Sequence, residues 1–237
     1  MPTKRPQLAN GEIYHIILRG VERIDIFKND SDYFRCIYNL FEFNDIKRSG
    51  WEYRRCMPKL RHKSSSQADF LFQRPRDLLV SIMAYCLMPN HIHLLLRQEK
   101  DKGITDFMRK FGTGYAGYFN KKYERQGHLF QGRFKAVHIR TNNQLKSVFV
   151  YIHTNPAVLI DSNWKEGGIK NTIEIIKFIE NYRWSSYSDY LNKIFFPLVT
   201  QRNLFNQIMA ACDWRRFVNE WVEYKSLKCW DKSVELE

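Results

Sequence analysis

Two short strings hold side chains that could act chemically together. In Pro89-Asn90-His91-Ile92-His93-Leu94-Leu95-Leu96, two imidazoles stand two residues apart. Side chains at i and i+2 of a β-strand share a face, so His91 and His93 point one way while Ile92, Leu94 and Leu96 turn to the core. Such a pair can grip one divalent metal ion and leave room for substrate oxygens. A pair of this kind can equally be held by local hydrogen bonds alone. In Tyr151-Ile152-His153-Thr154-Asn155-Pro156, Tyr151 and Asn155 are four apart and lie side by side on a helix. Leu145, Val148, Phe149 and Ile152 form the buried stripe. At about 100° per residue, Tyr151 and Asn155 fall on its flank. There a phenol and an amide can face the histidines, or the tyrosine can pack its ring while Asn155 ends the helix. His153 falls on another helix face and reads as structural or substrate-contacting.

The elements that must hold these groups follow from periodicity and turn residues. Glu12 to Arg19 is a β-branched run closed by Gly20 and reads as a strand. On it Ile13, His15, Ile17 and Arg19 share a face, with His15 open to two readings, core or substrate side. Ser31 or Asp32 is positioned to cap a helix running to about Ile46. Arg48 to Arg76 is polar and irregular, carrying Arg54, Arg55, Lys59, Arg61 and Lys63, and reads as a long loop or insertion. Strands follow at Leu79–Leu87 and His91–Arg97, joined at the Met88-Pro89-Asn90 turn. Then come a helix at about Ile104–Tyr123, a strand near Ala136–Arg140, and a helix from Asn143 to about Thr154, halted before Pro156. The remainder reads as helical: Asn171–Tyr182, a Trp184-Ser185-Ser186-Tyr187 turn and one amphipathic helix around Leu204–Tyr224. Strands alternating with helices around a hairpin imply an α+β domain on a small antiparallel sheet.

Charge points to the partner. Lys and Arg outnumber Asp and Glu by 38 to 25, a net +13, which suits a polyanion, nucleic acid before an acidic membrane surface. Between the two motifs, Arg109, Lys110, Lys121, Lys122, Arg125, Arg133, Lys135 and Arg140 alternate with Tyr115, Tyr118, Phe119, Tyr123, Phe130 and Phe134. Phosphate neutralisation beside aromatic surfaces suits hairpin and single-stranded DNA; packing and solvation account for part of the same pattern. Tyr115, Tyr118 and Tyr123 are also rival nucleophiles. No run reaches the roughly 18 apolar residues of a membrane span. The first six residues carry basic side chains without an apolar stretch behind them and do not read as a secretory signal. Five scattered cysteines form neither a zinc pattern nor a disulfide framework, pointing to a reducing cytoplasm.

The strings MPNHIHLLL, YFNKKYERQGHLFQGRFKAV, YIHTNPAV and RWSSY, in this order over about residues 9–190, resemble the transposases associated with repetitive extragenic palindromes (REP), of the single-tyrosine HUH group. The resemblance implies a ferredoxin-like core, an antiparallel sheet with helices packed on one face and a metal on the other. It implies that His91 and His93 bind Mg²⁺ or Mn²⁺, that Asn155 is the third ligand, and that Tyr151 is the nucleophile. Many insertion-sequence relatives carry Gln at the place of Asn155, so the Asn resembles the palindrome-associated branch. The expected organisation is a transposase/nuclease domain over 1–190, with a basic insertion at about 48–76, and a helical C-terminal extension over 191–237, acting as monomer or homodimer. Arg19, on the same strand face as His15, joins the expected DNA contacts.

The expected reaction nicks and rejoins single-stranded palindromic DNA through a 5′-phosphotyrosine. A phenol with its ordinary pKa near ~10 needs help at neutral pH, and a cation on the scissile phosphate supplies it. Two other readings remain: a protein that holds hairpins without cutting, and a metal nuclease that activates water.

Overall fold

The computed structural model describes residues 6–46, 76–165, 171–193, 195–209 and 212–227. The basic segment of the sequence reading falls outside these, Arg76 excepted, as do its Arg54, Arg55, Lys59, Arg61 and Lys63.

The chain runs β1 (Ile13–Arg19), α1 (Asp30–Glu42), β2 (Val80–Met88), β3 (His91–Gln98), α2 (Gly103–Lys122) and β4 (Lys135–Ile139). The four strands form one sheet in the order β2-β3-β1-β4, every pairing antiparallel. This is the βαββαβ connectivity of a ferredoxin-like sheet. Alternation sorts each strand between two cores. Tyr14, Ile16 and Leu18 with Ile92, Leu94 and Leu96 pack under α1 (Phe34, Ile37, Leu40) and α2 (Phe107, Phe111, Tyr115). The opposite face is only partly open, because α3 (Asn142–Thr154) and two C-terminal helices, α6 (Arg202–Ile208) and α7 (Trp214–Leu227), dock there.

That docking depends on a bulge in β2. The register slips between Ile82 and Ala84, so the period-2 pattern changes phase at Met83. Ile82 and Tyr85 then both face the first core, while Met83, Ala84, Cys86 and Met88 meet α3 on the second. The outer edge of β2 is closed by the segment after α4 (Thr172–Asn181), on either side of the short α5 (Tyr187–Tyr190). Leu87 N donates to Trp184 O at 2.9 Å, Ser186 N to Tyr85 O at 3.0 Å and Gln201 N to Ile82 O at 2.9 Å. An unpaired edge is thereby covered.

Two expectations change. Asn29, not Ser31 or Asp32, caps α1. Asp32 is the third helical residue and reaches back to the Asn29 N–H, completing a capping box. The single C-terminal helix is two, because Asp213 accepts from Arg216 N at 3.1 Å and starts a new one. Phe205, Met209 and Trp214 from this region share a core with Phe149 of α3 and Leu95 of β3, so residues beyond 190 pack directly on the sheet domain.

Candidate active site

Antiparallel register sets the site in rows. Arg19 pairs across from His91, Ile17 from His93 and His15 from Leu95. On its other side, Ile17 pairs with Lys135 and His15 with Val137. Residues directly opposite share a face, so His15, Arg19, His91, His93 and Lys135 all look away from α1 and α2. The His91 and His93 rings sit 4.7 Å apart, nearly perpendicular.

α3 brings the second motif over this face. Thr141 caps its start by accepting from Gln144 N. Leu145, Val148, Phe149 and Ile152 bury into the second core. Pro156 lacks the N–H to continue the helix, and the chain tightens into a 3-10 turn over Asn155–Leu159. The Tyr151 ring lies 5.5 Å from His93 and 5.8 Å from His15, edge-on to both. One turn on, Asn155 is buried, its Nδ2 3.1 Å from His93 Nε2. The two sequence motifs therefore converge.

The rival tyrosines do not join them. Tyr115 is fully buried in the core under α1 and α2, where its hydroxyl donates to Ile26 O; burial drives its pKa far up. Tyr118 and Tyr123 donate to the two oxygens of Asp32 at 2.9 and 2.7 Å. All three belong to the helical layer across the sheet from the histidines.

His15 and His153 resolve into different roles. His15 is 1 % exposed, stacks on His93 and sets Nε2 3.0 Å from His93 Nδ1. Burial pushes its pKa down to about 4, so it is neutral. His153 is fully buried, with Nε2 2.8 Å from Ser186 Oγ. Burial lowers its pKa to about 3, against a smaller upward effect of the Phe149 backbone. It is a structural residue, clamping α3 to the segment that closes the β2 edge, and the RWSSY string is the other half of that clamp. The signal missed in the sequence was the Ser186 hydroxyl, which also accepts from Tyr85 N at 2.9 Å.

The basic residues scatter. Arg19 and the exposed Lys135 lie on the histidine face, and exposed Arg133 is two residues before Lys135. Arg140 follows Ile139, which pairs with Ile13 at the far end of β1 from His91. Arg109, Lys110, Lys121 and Lys122 belong to α2. Arg109 pairs with Asp106 at 3.0 Å, Lys110 donates to Asp45 O at 2.7 Å, Lys122 pairs with buried Asp32 at 2.6 Å, and Lys121 is exposed. Arg125 donates to His128 O at 2.9 Å.

The donor set fits a divalent ion. Two imidazoles and an amide converge, and turning the Asn155 amide over exchanges its nitrogen for an oxygen ligand. Among the described residues, no group of three or more His, Cys, Asp or Glu side chains could hold a metal. Such an ion here would rely on the amide and on substrate oxygens, which suits a hard cation that keeps open positions.

Residues 50–155 match the family described as IS200-like transposases, a span containing His91, His93, Tyr151 and Asn155. A solved structure of a REP-associated tyrosine transposase bound to a REP hairpin is similar at 14% identity, covering 84% of this chain and 90% of that one, with a TM-score of 0.48. No curated protein matches the chain. No helix among the described residues is long and apolar enough to cross a membrane.

Proposed function

We propose that this chain, similar over residues 50–155 to IS200-like transposases, is a metal-dependent transposase that nicks and rejoins single-stranded hairpin DNA through Tyr151. The observation that carries the proposal is the convergence of Tyr151 and Asn155 on His93, with Tyr115, Tyr118 and Tyr123 held on the other side of the sheet.

His91, His93 and Asn155 would hold Mg²⁺ or Mn²⁺, which when bound polarises the scissile phosphate and takes up developing charge. The chain's own groups do the rest. Tyr151, half-buried on the flank of α3, has its ring edge-on to two imidazoles of the histidine face. Its oxygen attacks phosphorus, the P–O3′ bond breaks, the phenol proton leaves to water and the 3′-oxygen takes a proton. The products are a 5′-phosphotyrosine and a free 3′-hydroxyl, and the reverse step rejoins DNA without an external energy source. Arg19 and Lys135, in the rows beside the histidines, are suited to the flanking phosphates.

The test is Tyr151→Phe, which removes the hydroxyl and keeps the ring packing. The variant should bind hairpin DNA with little change and form no covalent adduct. Wild type with Mn²⁺ should give a slow, protease-sensitive band on a denaturing gel, absent in EDTA. Cleavage by wild type without such a band would replace this reading with a water-activating nuclease. Binding with neither cleavage nor adduct would leave a hairpin-binding protein.

A further inference from the structure

Each histidine of the pair has its inner nitrogen occupied by a different neighbour. His91 Nδ1 lies 2.6 Å from Asn90 Oδ1, and His93 Nδ1 lies 3.0 Å from His15 Nε2. We infer that Asn90 and His15 are positioning residues that fix both ligand histidines in the Nδ1–H tautomer, so that each offers its Nε2 lone pair to a metal. The inference rests on the proposed metal site but concerns residues outside it.

The Asn90 half follows from donor and acceptor types. Asn90 Nδ2 is 3.3 Å from Arg23 O, and a backbone carbonyl only accepts. The nitrogen of the amide must therefore face Arg23, which leaves its oxygen facing His91. An oxygen acceptor at 2.6 Å requires the proton on His91 Nδ1, and a neutral ring then has its lone pair on Nε2. The carbonyl that decides this is itself held unusually. Glu22 and Arg23 adopt φ of 52° and 60°, a left-handed pair that non-glycine residues rarely sustain. The turn follows Gly20, where any Cβ would meet Ile24 O at 2.5 Å, and Gly20 N donates to Asn90 O at 2.8 Å. The turn after β1 and the turn before β3 are thus locked together at the site.

The His15 half closes the same way. His93 turns Nε2 toward Asn155 at 3.1 Å and Nδ1 toward His15 at 3.0 Å, so a metal shared by His93 and Asn155 would take the Nε2 lone pair and leave the ring proton on Nδ1. His15 Nε2, at 3.0 Å, is the acceptor placed for that proton. A ligand imidazole whose other nitrogen has a fixed acceptor is both oriented and made a better donor.

Long-range ¹H–¹⁵N NMR of the metal-free protein reads the tautomer of each ring, and titration with Mn²⁺ alone, followed by EPR of the free ion, reads affinity. In wild type both His91 and His93 should be Nδ1–H. His15→Leu and Asn90→Ala should each put the ring that lost its acceptor into a mixed population and weaken Mn²⁺ binding about 10–100-fold. His15→Gln and Asn90→Asp keep an acceptor and should restore both readouts; Asn90→Asp gives up the donor to Arg23, separating tautomer control from turn-holding. Nε2–H tautomers in wild type, or affinity in the Leu and Ala variants equal to wild type, would overturn the inference. Equal damage from the acceptor-keeping variants would do the same, since it would mean a structural role only. A wild type with the expected tautomers and no Mn²⁺ binding would instead sink the metal site and leave the tautomer assignment standing.

Discussion

Ser186→Ala isolates the clamp that holds the nucleophile helix in place. The Ser186 hydroxyl accepts from Tyr85 N at 2.9 Å and meets His153 Nε2 at 2.8 Å; both partners are fully buried. Tyr85 O keeps its bond from Ser186 N, so the substitution orphans two groups, the Tyr85 N–H and His153 Nε2. A buried polar group left without a partner costs roughly 1–3 kcal/mol, giving about 4 kcal/mol for the pair. In a chain of this size each kcal/mol moves Tm by roughly 2–4 °C, so thermal unfolding followed by circular dichroism should fall by about 8–16 °C. Ser188→Ala is the control: its hydroxyl donates only to Glu180 O, in a half-buried bond, and the expected loss is under about 1 kcal/mol. Because His153 sits between Tyr151 and Asn155 in α3, adduct formation by the folded fraction of Ser186→Ala should also slow. A Tm drop no larger than that of the control would refute the reasoning, since it would mean that the His153–Ser186 contact holds nothing.

Two further outcomes separate the surface charges. Arg19→Gln and Lys135→Gln should each lower the slope of log affinity against log salt for hairpin DNA by about 1, while Lys122→Gln should leave the slope unchanged and lower stability instead; an unchanged slope in the first two would remove them from the interface. The acid limb of stability should carry the signature of Asp32. Burial alone would raise its carboxyl, but bonds from Lys122, Tyr123, the Lys28 backbone and Tyr118 outweigh it and hold the pKa below the ordinary value. A depressed carboxylate stabilises the fold above its unfolded pKa and loses that contribution as pH falls through the folded one. Asp32→Asn should therefore lower stability at neutral pH and flatten the decline below about pH 4, as read by urea unfolding across pH; a decline as steep as that of wild type would assign the acid sensitivity elsewhere.

The parts of the site written in local periodicity were legible in the sequence. The facing of His91 and His93 followed from a period of two, and the flank position of Tyr151 and Asn155 from helical spacing. What could not be read was set by long-range register. Asn90 looked like a turn residue, because its role depends on Arg23, 67 residues away. His15 was balanced between core and DNA side, and it is both buried and on the site face. His153 could not be separated from a DNA contact without Ser186, 33 residues on. Lys110 and Lys122 of α2 read as part of a binding stripe because their partners, the Asp45 carbonyl and the Asp32 carboxylate, come from the loop after α1 and from α1.

The position of Tyr151 on a flank, and not at the centre of the α3 stripe, follows from how the second sheet face is divided. Part of that face, made by β2 together with Leu95 of β3 and Ile139 of β4 at the opposite edge, is apolar and receives Leu145, Val148, Phe149 and Ile152. The adjoining β1 and β3 positions carry His15, Arg19, His91 and His93. A helix docked on the apolar half can reach the polar half only with residues at the edge of its buried stripe: a central side chain would be sealed in the core, and one on the far side would meet solvent. The bulge at Met83 makes the division possible, since without the phase change Tyr85 and Leu87 would turn into the second core, and Ala84, Cys86 and Met88 out of it. One extra residue in β2 thus supplies the apolar seat from which α3 presents Tyr151 and Asn155 to the histidines.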